Sequence, residues 1–287
     1  MSILKTLIFY AEKNDPVVIE AKRSASELSQ VDFLHVDELI PYLQNAEWPE
    51  MIRTTFPFKL KERFNGALVI NRVFTLADTE LFDVLNAWSK NERWFHIKVQ
   101  PLLNLARQLT HDVGLRGVSK CLLPLNVQWY YIQREREDIS LPNFSYAMSY
   151  ESPKNQLMTA PMQKSVWSLF DWKAERNISV GEQRRHRFFV ESPKGTPVIC
   201  YFLGKDTRGL VFPRTNIDVD EGLFAKLADL ASSLFESALG EILTYVEDDG
   251  SVRFYAFSPF MRSSTGSASF SEHIKTWLGG RQATAAI

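Results

Sequence analysis

The chain has 287 residues, 45% hydrophobic and 23% charged, with a formal net charge of −1. That is enough for one large domain or two to three small ones with their own cores, and the balance is that of a globular rather than a disordered chain. A near-neutral charge offers no general basic footprint for nucleic acid. Cys121 and Cys200 lie far apart without a CxxC, which argues against a disulfide framework or a zinc ribbon and for reduced thiols.

Met1 to Tyr10 is a short apolar run that passes into Glu12-Lys13-Asn14-Asp15 with no small-residue cleavage site, so it reads as a first strand rather than a signal peptide. No apolar stretch reaches the roughly 20 residues of a membrane span. The expectation is a cytoplasmic protein without membrane contact. Val17 to Leu28 follows as a helix with Val18, Ala21, Ala25 and Leu28 at helical spacing. Val31 to Val36 reads as a second strand, Asp37 to Ile40 as the start of a short helix, and Gly66 to Ile70 as a third strand ending in Asn71-Arg72. Strand–helix–strand alternation predicts a small parallel α/β domain over residues 1–75.

Residues 76–180 form a central region. Asp78 to Trp88 and Val99 to Val113 read as helices, and the second stops at Gly114. Asn126 to Ile132 has the β-branched and aromatic content of a strand, and Leu141 to Ala160 reads mostly as loop. Arg187 to Glu191 and Pro197 to Gly204 read as a strand pair around Ser192 to Gly195, and Gly209 to Phe212 as a further strand. Asp220 is a plausible N-cap for a helix from Glu221 to Leu239, with Leu223, Leu227, Leu230 and Leu234 as its buried stripe. Gly240 to Val246, the acidic turn Glu247 to Gly250, and Val252 to Phe260 complete a helix–strand–turn–strand ending. Arg262 to Ser271 is Ser/Gly-rich and reads as flexible, Trp277 anchors a last segment, and Arg281 to Ile287 reads as frayed.

This order, with Phe254 to Phe260 as its motif-like piece, resembles the ATP-grasp superfamily, in particular its glutathione-synthetase and ribosomal-protein glutamate-ligase branch. The resemblance implies an α/β fold: a small parallel N-terminal domain, then mixed and antiparallel sheets with helices, and an ATP-grasp-like C-terminal domain over 181–287. It also implies ATP and magnesium, held by a Glu-x-Asn-Pro signature on the last strand. Here those positions are Ala256, Phe257, Ser258 and Pro259. Hard cations take oxygen ligands; Ala256 has none and Ser258 has one neutral hydroxyl. Leu243, Thr244 and Tyr245 occupy the stretch where the family carries a carboxylate, although Glu241 could reach in if the register slipped, and Asp248 or Asp249 lies at the turn. The strand usually carrying a phosphate-binding arginine has Val198-Ile199-Cys200-Tyr201, and Ala174 to Gln183 has a single glycine where a phosphate loop is expected.

Other chemistry is sparse. His35, His96, His111, His186 and His273 form no metal spacing, Cys200 reads as a core thiol, and neither G-x-S-x-G nor G-x-x-x-x-G-K-[ST] occurs. Arg184, Arg185 and Arg187 form the strongest charge cluster, suited to gripping phosphate or carboxylate; the bland alternative is an exposed basic turn. Under the resemblance, Lys173 could be a nucleotide-side lysine or else a surface lysine, and Arg72 joins these as a ligand-facing cation. Trp129-Tyr130-Tyr131 and Phe144-Ser145-Tyr146, interleaved with Arg134 and Arg136, suit an interface or a core. The leading expectation is a non-catalytic or repurposed ATP-grasp-like protein without metal or cofactor. It would bind a peptide, a protein or a small acidic ligand in the ancestral cleft, as partner of an active enzyme, with homo- or hetero-oligomerisation left open. The alternative is an active ATP-dependent carboxylate–amine ligase, using ATP and Mg at an atypical metal site.

Overall fold

The computed structural model describes residues 5–41, 63, 67–89, 125–147, 187–211 and 219–284, apart from 27, 29, 74, 75, 77, 137, 138, 192 and 206. The helix read over Val99 to Val113, Lys173, Arg184, Arg185 and the stretch 174–183 lie outside them. Among the described residues, no helix is long and apolar enough to cross a membrane.

The N-terminal sheet is parallel, in the order β2-β1-β3, from β1 (Lys5–Tyr10), β2 (Val31–His35) and β3 (Ala67–Arg72). Leu7 to Tyr10 are buried without alternation, as a strand covered on both faces requires. Between β1 and β2, α1 (Pro16–Ala25) starts where Asp15 accepts from the amides of Val17 (2.9 Å) and Val18 (3.2 Å), with Pro16 in the first turn. A 3₁₀ turn over Val36–Leu39 and α2 (Glu80–Ser89) follow β2 and β3 respectively.

The C-terminal sheet is antiparallel, in the order β7-β6-β8-β9: β6 (Thr196–Leu203), β7 (Thr207–Val211), β8 (Leu239–Val246) and β9 (Val252–Ser258). Helix α4 (Glu221–Leu234), capped by Asp220, packs on this sheet through Phe224, Leu227, Ala228 and Ala231. Leu223, Leu230 and Leu234 flank that stripe and are only partly buried, because Phe224 and the small alanines sit at the centre of the helix face. Toward Tyr201, Leu203 and Leu239 the sheet packs with α5 (Phe270–Thr284). Phe270, Ile274, Trp277 and Leu278 of α5 share one core with Ile8, Val17, Val18, Ala21 and Ile70 of the N-terminal unit. The first and last parts of the chain are therefore packed together.

Four expectations are corrected. Residues 126–132 are not a strand but lie in α3 (Leu125–Glu135), whose buried Gln128, Trp129 and Ile132 recur at helical spacing that the aromatic content obscures. Within the expected loop, Phe144–Ala147 forms β4 and pairs antiparallel with β5 (Arg187–Val190). The strand at 187–190 is thus not paired with 196–203, since both edges of β6 are taken by β7 and β8. Finally, residues 262–269 form turns, with a 3₁₀ turn over Ser264–Gly266 and Ser264 fully buried, that lead into α5, and the helix continues to Thr284.

β9 would present an open outer edge, which sheets tend to cover, and α3 covers it. Gln128 donates its amide to Phe257 O (3.2 Å) and accepts from Phe257 N (2.8 Å), while the Trp129 indole donates to Tyr255 O (2.9 Å). Ser140 O takes the amide of Phe254 at 2.9 Å.

Candidate functional site at the closing strand

The β8–β9 ladder places Glu241 opposite Ser258, Ile242 opposite Phe257 and Leu243 opposite Ala256, with a bulge between Leu243 and Thr244. Directly opposed residues share a face, so Glu241, Leu243, Ala256 and Ser258 lie on one side of the two strands. Phe257 takes the other side and packs against Gly240, where a Cβ would stand 2.3 Å from its ring. That contact lets Phe257 stack on Phe235, with centroids 4.7 Å apart.

Glu241, 2% exposed, is the one acid on that face among these opposed pairs. Its Oε2 accepts from Ser263 N (3.1 Å), Ser264 N (2.9 Å) and Ser264 Oγ (2.7 Å). Burial pushes its carboxyl up to about 7, and the Ser264 and Ser263 donors and Arg72 pull the other way without cancelling it. Ser258 Oγ accepts from Phe260 N at 3.2 Å. Asp248 and Asp249 are exposed in the turn beyond β8, seven and eight residues from Glu241 and so roughly 20–25 Å along the strand direction. The sequence points to Glu241 but not to Ser263 and Ser264 as its partners, because their run of small polar residues reads as a flexible loop.

Arg72, at the end of β3, is 0% exposed. Its Nε and Nη2 donate to Asp15 Oδ2 (2.9 Å) and Oδ1 (3.0 Å), and its remaining contacts include Pro259 O and Phe260 O (3.3 Å). The guanidinium therefore binds the turn that follows the closing strand. Asp15 was not foreseen as its partner, although an acid before Pro16 is a recognisable helix cap whose second oxygen can serve a cation. The backbone of Arg187 pairs with Ala147 at the start of β5.

Next to Glu241 across the sheet is Tyr201, whose hydroxyl lies 2.8 Å from His273 Nδ1 and 3.0 Å from Ser269 Oγ. Cys200 is 1% exposed and burial pushes its thiol up to about 12, so it is an unreactive core residue. The aromatics of α3 divide: Trp129 is core, whereas Tyr130 is 60% exposed, and Phe144 at the start of β4 is 41% exposed. With Asn126, Gln133, Ile139, Leu141, Pro142 and Asn143 these three line an open cavity of about 840 Å³.

No family model and no curated protein sequence matches the chain. Solved structures do. The ATP-grasp ligase PsnB in complex with precursor peptide PsnA2 and AMPPNP aligns with a TM-score of 0.60 at 11% identity, over 98% of this chain and 99% of that one. The macrocyclase MdnC bound with precursor peptide MdnA, from Microcystis aeruginosa MRC, gives 0.59 at 12% identity over 96% and 99%. A RiPP-associated ATP-grasp ligase of Chryseobacterium gregarium, in complex with ADP and a leader and core peptide, gives 0.60 at 11% identity over 97% of both chains. The chain has the ATP-grasp fold.

That fold implies a magnesium nucleotide, and the residues at the closing strand can be tested against it. Magnesium needs near-octahedral oxygen ligation. Leu243 and Ala256 supply no oxygen, Glu241 is engaged by three donors of the chain, and Ser258 Oγ is bonded to its own turn. Among the described residues no group of three or more His, Cys, Asp or Glu is placed to hold a metal ion. These residues do not fit the ion.

Proposed function

We propose that this chain is a non-catalytic or repurposed ATP-grasp-fold protein that recognises a peptide, a protein segment or a small acidic ligand and acts beside an active enzyme. One observation carries the reading: the opposed pairs Leu243–Ala256 and Glu241–Ser258 leave no uncommitted carboxylate on the face where the family's signature would sit. The complexes of PsnB, MdnC and the Chryseobacterium gregarium ligase with their precursor or leader peptides support a peptide as partner. In this reading Arg184, Arg185 and Arg187, with Lys173, grip an anionic group of the ligand, and Arg72 secures the strand end beside the cleft.

Selection of a random peptide library on the full chain tests the proposal. Enrichment of acidic peptides, weakened at least about tenfold by an Arg185→Gln/Arg187→Gln variant, is the expected result, since charge-assisted hydrogen bonds are each worth about 1.5–3 kcal/mol. If no peptide is enriched, and the chain releases ADP from Mg-ATP when an amine and a carboxylate are supplied, the proposal fails. The likeness to nucleotide-bound ligases favours that second reading, an ATP-dependent carboxylate–amine ligase. Its metal would need oxygens from residues other than those at the closing strand.

A further inference from the structure

The segment Pro259–Ser264, just past the closing strand, is held from two directions, by the buried Arg72 guanidinium and the buried Glu241 carboxyl group. Arg72 donates to the carbonyls of Pro259 and Phe260, and Glu241 accepts from the amides of Ser263 and Ser264. Between them Met261 is fully buried with φ of +57°. A non-glycine residue there is strained and persists only where its surroundings over-determine it. Each group in turn needs this backbone. A buried carboxylate without donors or a buried guanidinium without acceptors is strongly disfavoured, and among the described residues only Arg72 of the two has a direct counter-ion, in Asp15.

We propose that Arg72 and Glu241 are paired positioning residues of a latch: they fix Pro259–Ser264 and tie the end of the closing strand to the N-terminal sheet. The inference rests on the reading of the site given above, because it closes with the chain's own groups the corner that carries the metal signature in ATP-grasp ligases. The cation at this corner is a guanidinium, and the groups around the carboxylate are two amides and a hydroxyl. The latch reaches from β3, 187 residues away in sequence, and from β8, 23 residues before Ser264.

Trypsin reads the latch directly. Arg262 is 70% exposed and paired with Glu12 at 3.1 Å on the surface, but the nitrogen of the bond cut after it is Ser263 N, which Glu241 holds. Cleavage there requires local opening, and its rate follows the population of the open form. The full chain should be cut slowly after Arg262. Ser264→Ala, which removes one donor, and Arg72→Met, which removes the opposite end, should each speed that cut about tenfold or more relative to the cut after Lys226 in α4. Should Arg72→Met not fold, Ser264→Ala alone decides. Unchanged cutting after Arg262, or equal acceleration at Arg262 and Lys226, overturns the latch. A parallel digestion with Mg-ATP separates the two claims. Unchanged cutting at Arg262 is expected, and protection that EDTA reverses would sink the metal-free reading even where the variants behave as a latch requires.

Discussion

Arg72 and Asp15, 57 residues apart, form a two-point ion pair with side chains 0% and 1% exposed, and Asp15 simultaneously caps α1. Removing one member of such a pair leaves an uncompensated buried charge, at a cost of about 3–5 kcal/mol. Arg72→Ala should therefore lower the urea-unfolding free energy by about that amount. A loss below about 1 kcal/mol would show that water reaches Asp15 and that the pair does not hold the start of α1 against the end of β3.

Glu241 makes stability depend on pH. Its ordinary value is 4.5 and burial raises it to about 7 in the fold. A carboxyl with a raised folded value contributes stability that is fully present below pH 4.5 and is lost as pH rises through 7. The difference corresponds to about 3 kcal/mol at most. Denaturation midpoints should decline from pH 4.5 to 7.5, and Glu241→Gln should flatten that decline. Parallel profiles for parent and variant would place the titration elsewhere.

Gln128 satisfies both backbone groups of Phe257 on the outer edge of β9. Gln128→Leu fills similar space but leaves an amide and a carbonyl unpaired, which costs about 1–3 kcal/mol. Exchange of the Phe257 amide proton should accelerate in the variant. An unchanged exchange rate would mean that α3 does not protect the strand.

Within α4, Leu227 is 1% exposed, whereas Leu230 lies at the edge of the buried face. Leu227→Ala should cost about 2–5 kcal/mol and Leu230→Ala clearly less, because a partly exposed site loses less transfer energy and leaves no closed cavity. The reverse order in thermal denaturation would show that the helix is rotated.

The succession of strands along the C-terminal third was readable because β6, β8 and the start of β9 are bounded by glycines, a proline and an acidic turn, and Asp220 offered a cap for α4. The ATP-grasp resemblance drawn from that order agrees with the fold. Trp129-Tyr130-Tyr131 misled because aromatic side chains favour strands in general, whereas the burial of Gln128, Trp129 and Ile132 is set by the edge of β9, 126–129 residues away. The pairing of β5 with β4 rather than β6 depended on β7 and β8 already occupying β6. Glu241 was noticed, but its partners Ser263 and Ser264 sit in a segment of low hydrophobicity whose order comes from buried charge, which local composition does not report. Lys173, Arg184 and Arg185 stay as expectations outside the described residues.

The central claim, that the closing strand does not support a magnesium nucleotide, is tested most directly by thermal denaturation of the full chain with ATP, with and without magnesium. A native-state ligand at about a hundredfold excess over its Kd adds about 2.7 kcal/mol, a shift of a few degrees for a chain of this size. The account predicts that millimolar Mg-ATP leaves the midpoint where ATP with EDTA leaves it. A rise of several degrees that appears with Mg-ATP and vanishes on adding EDTA would contradict it.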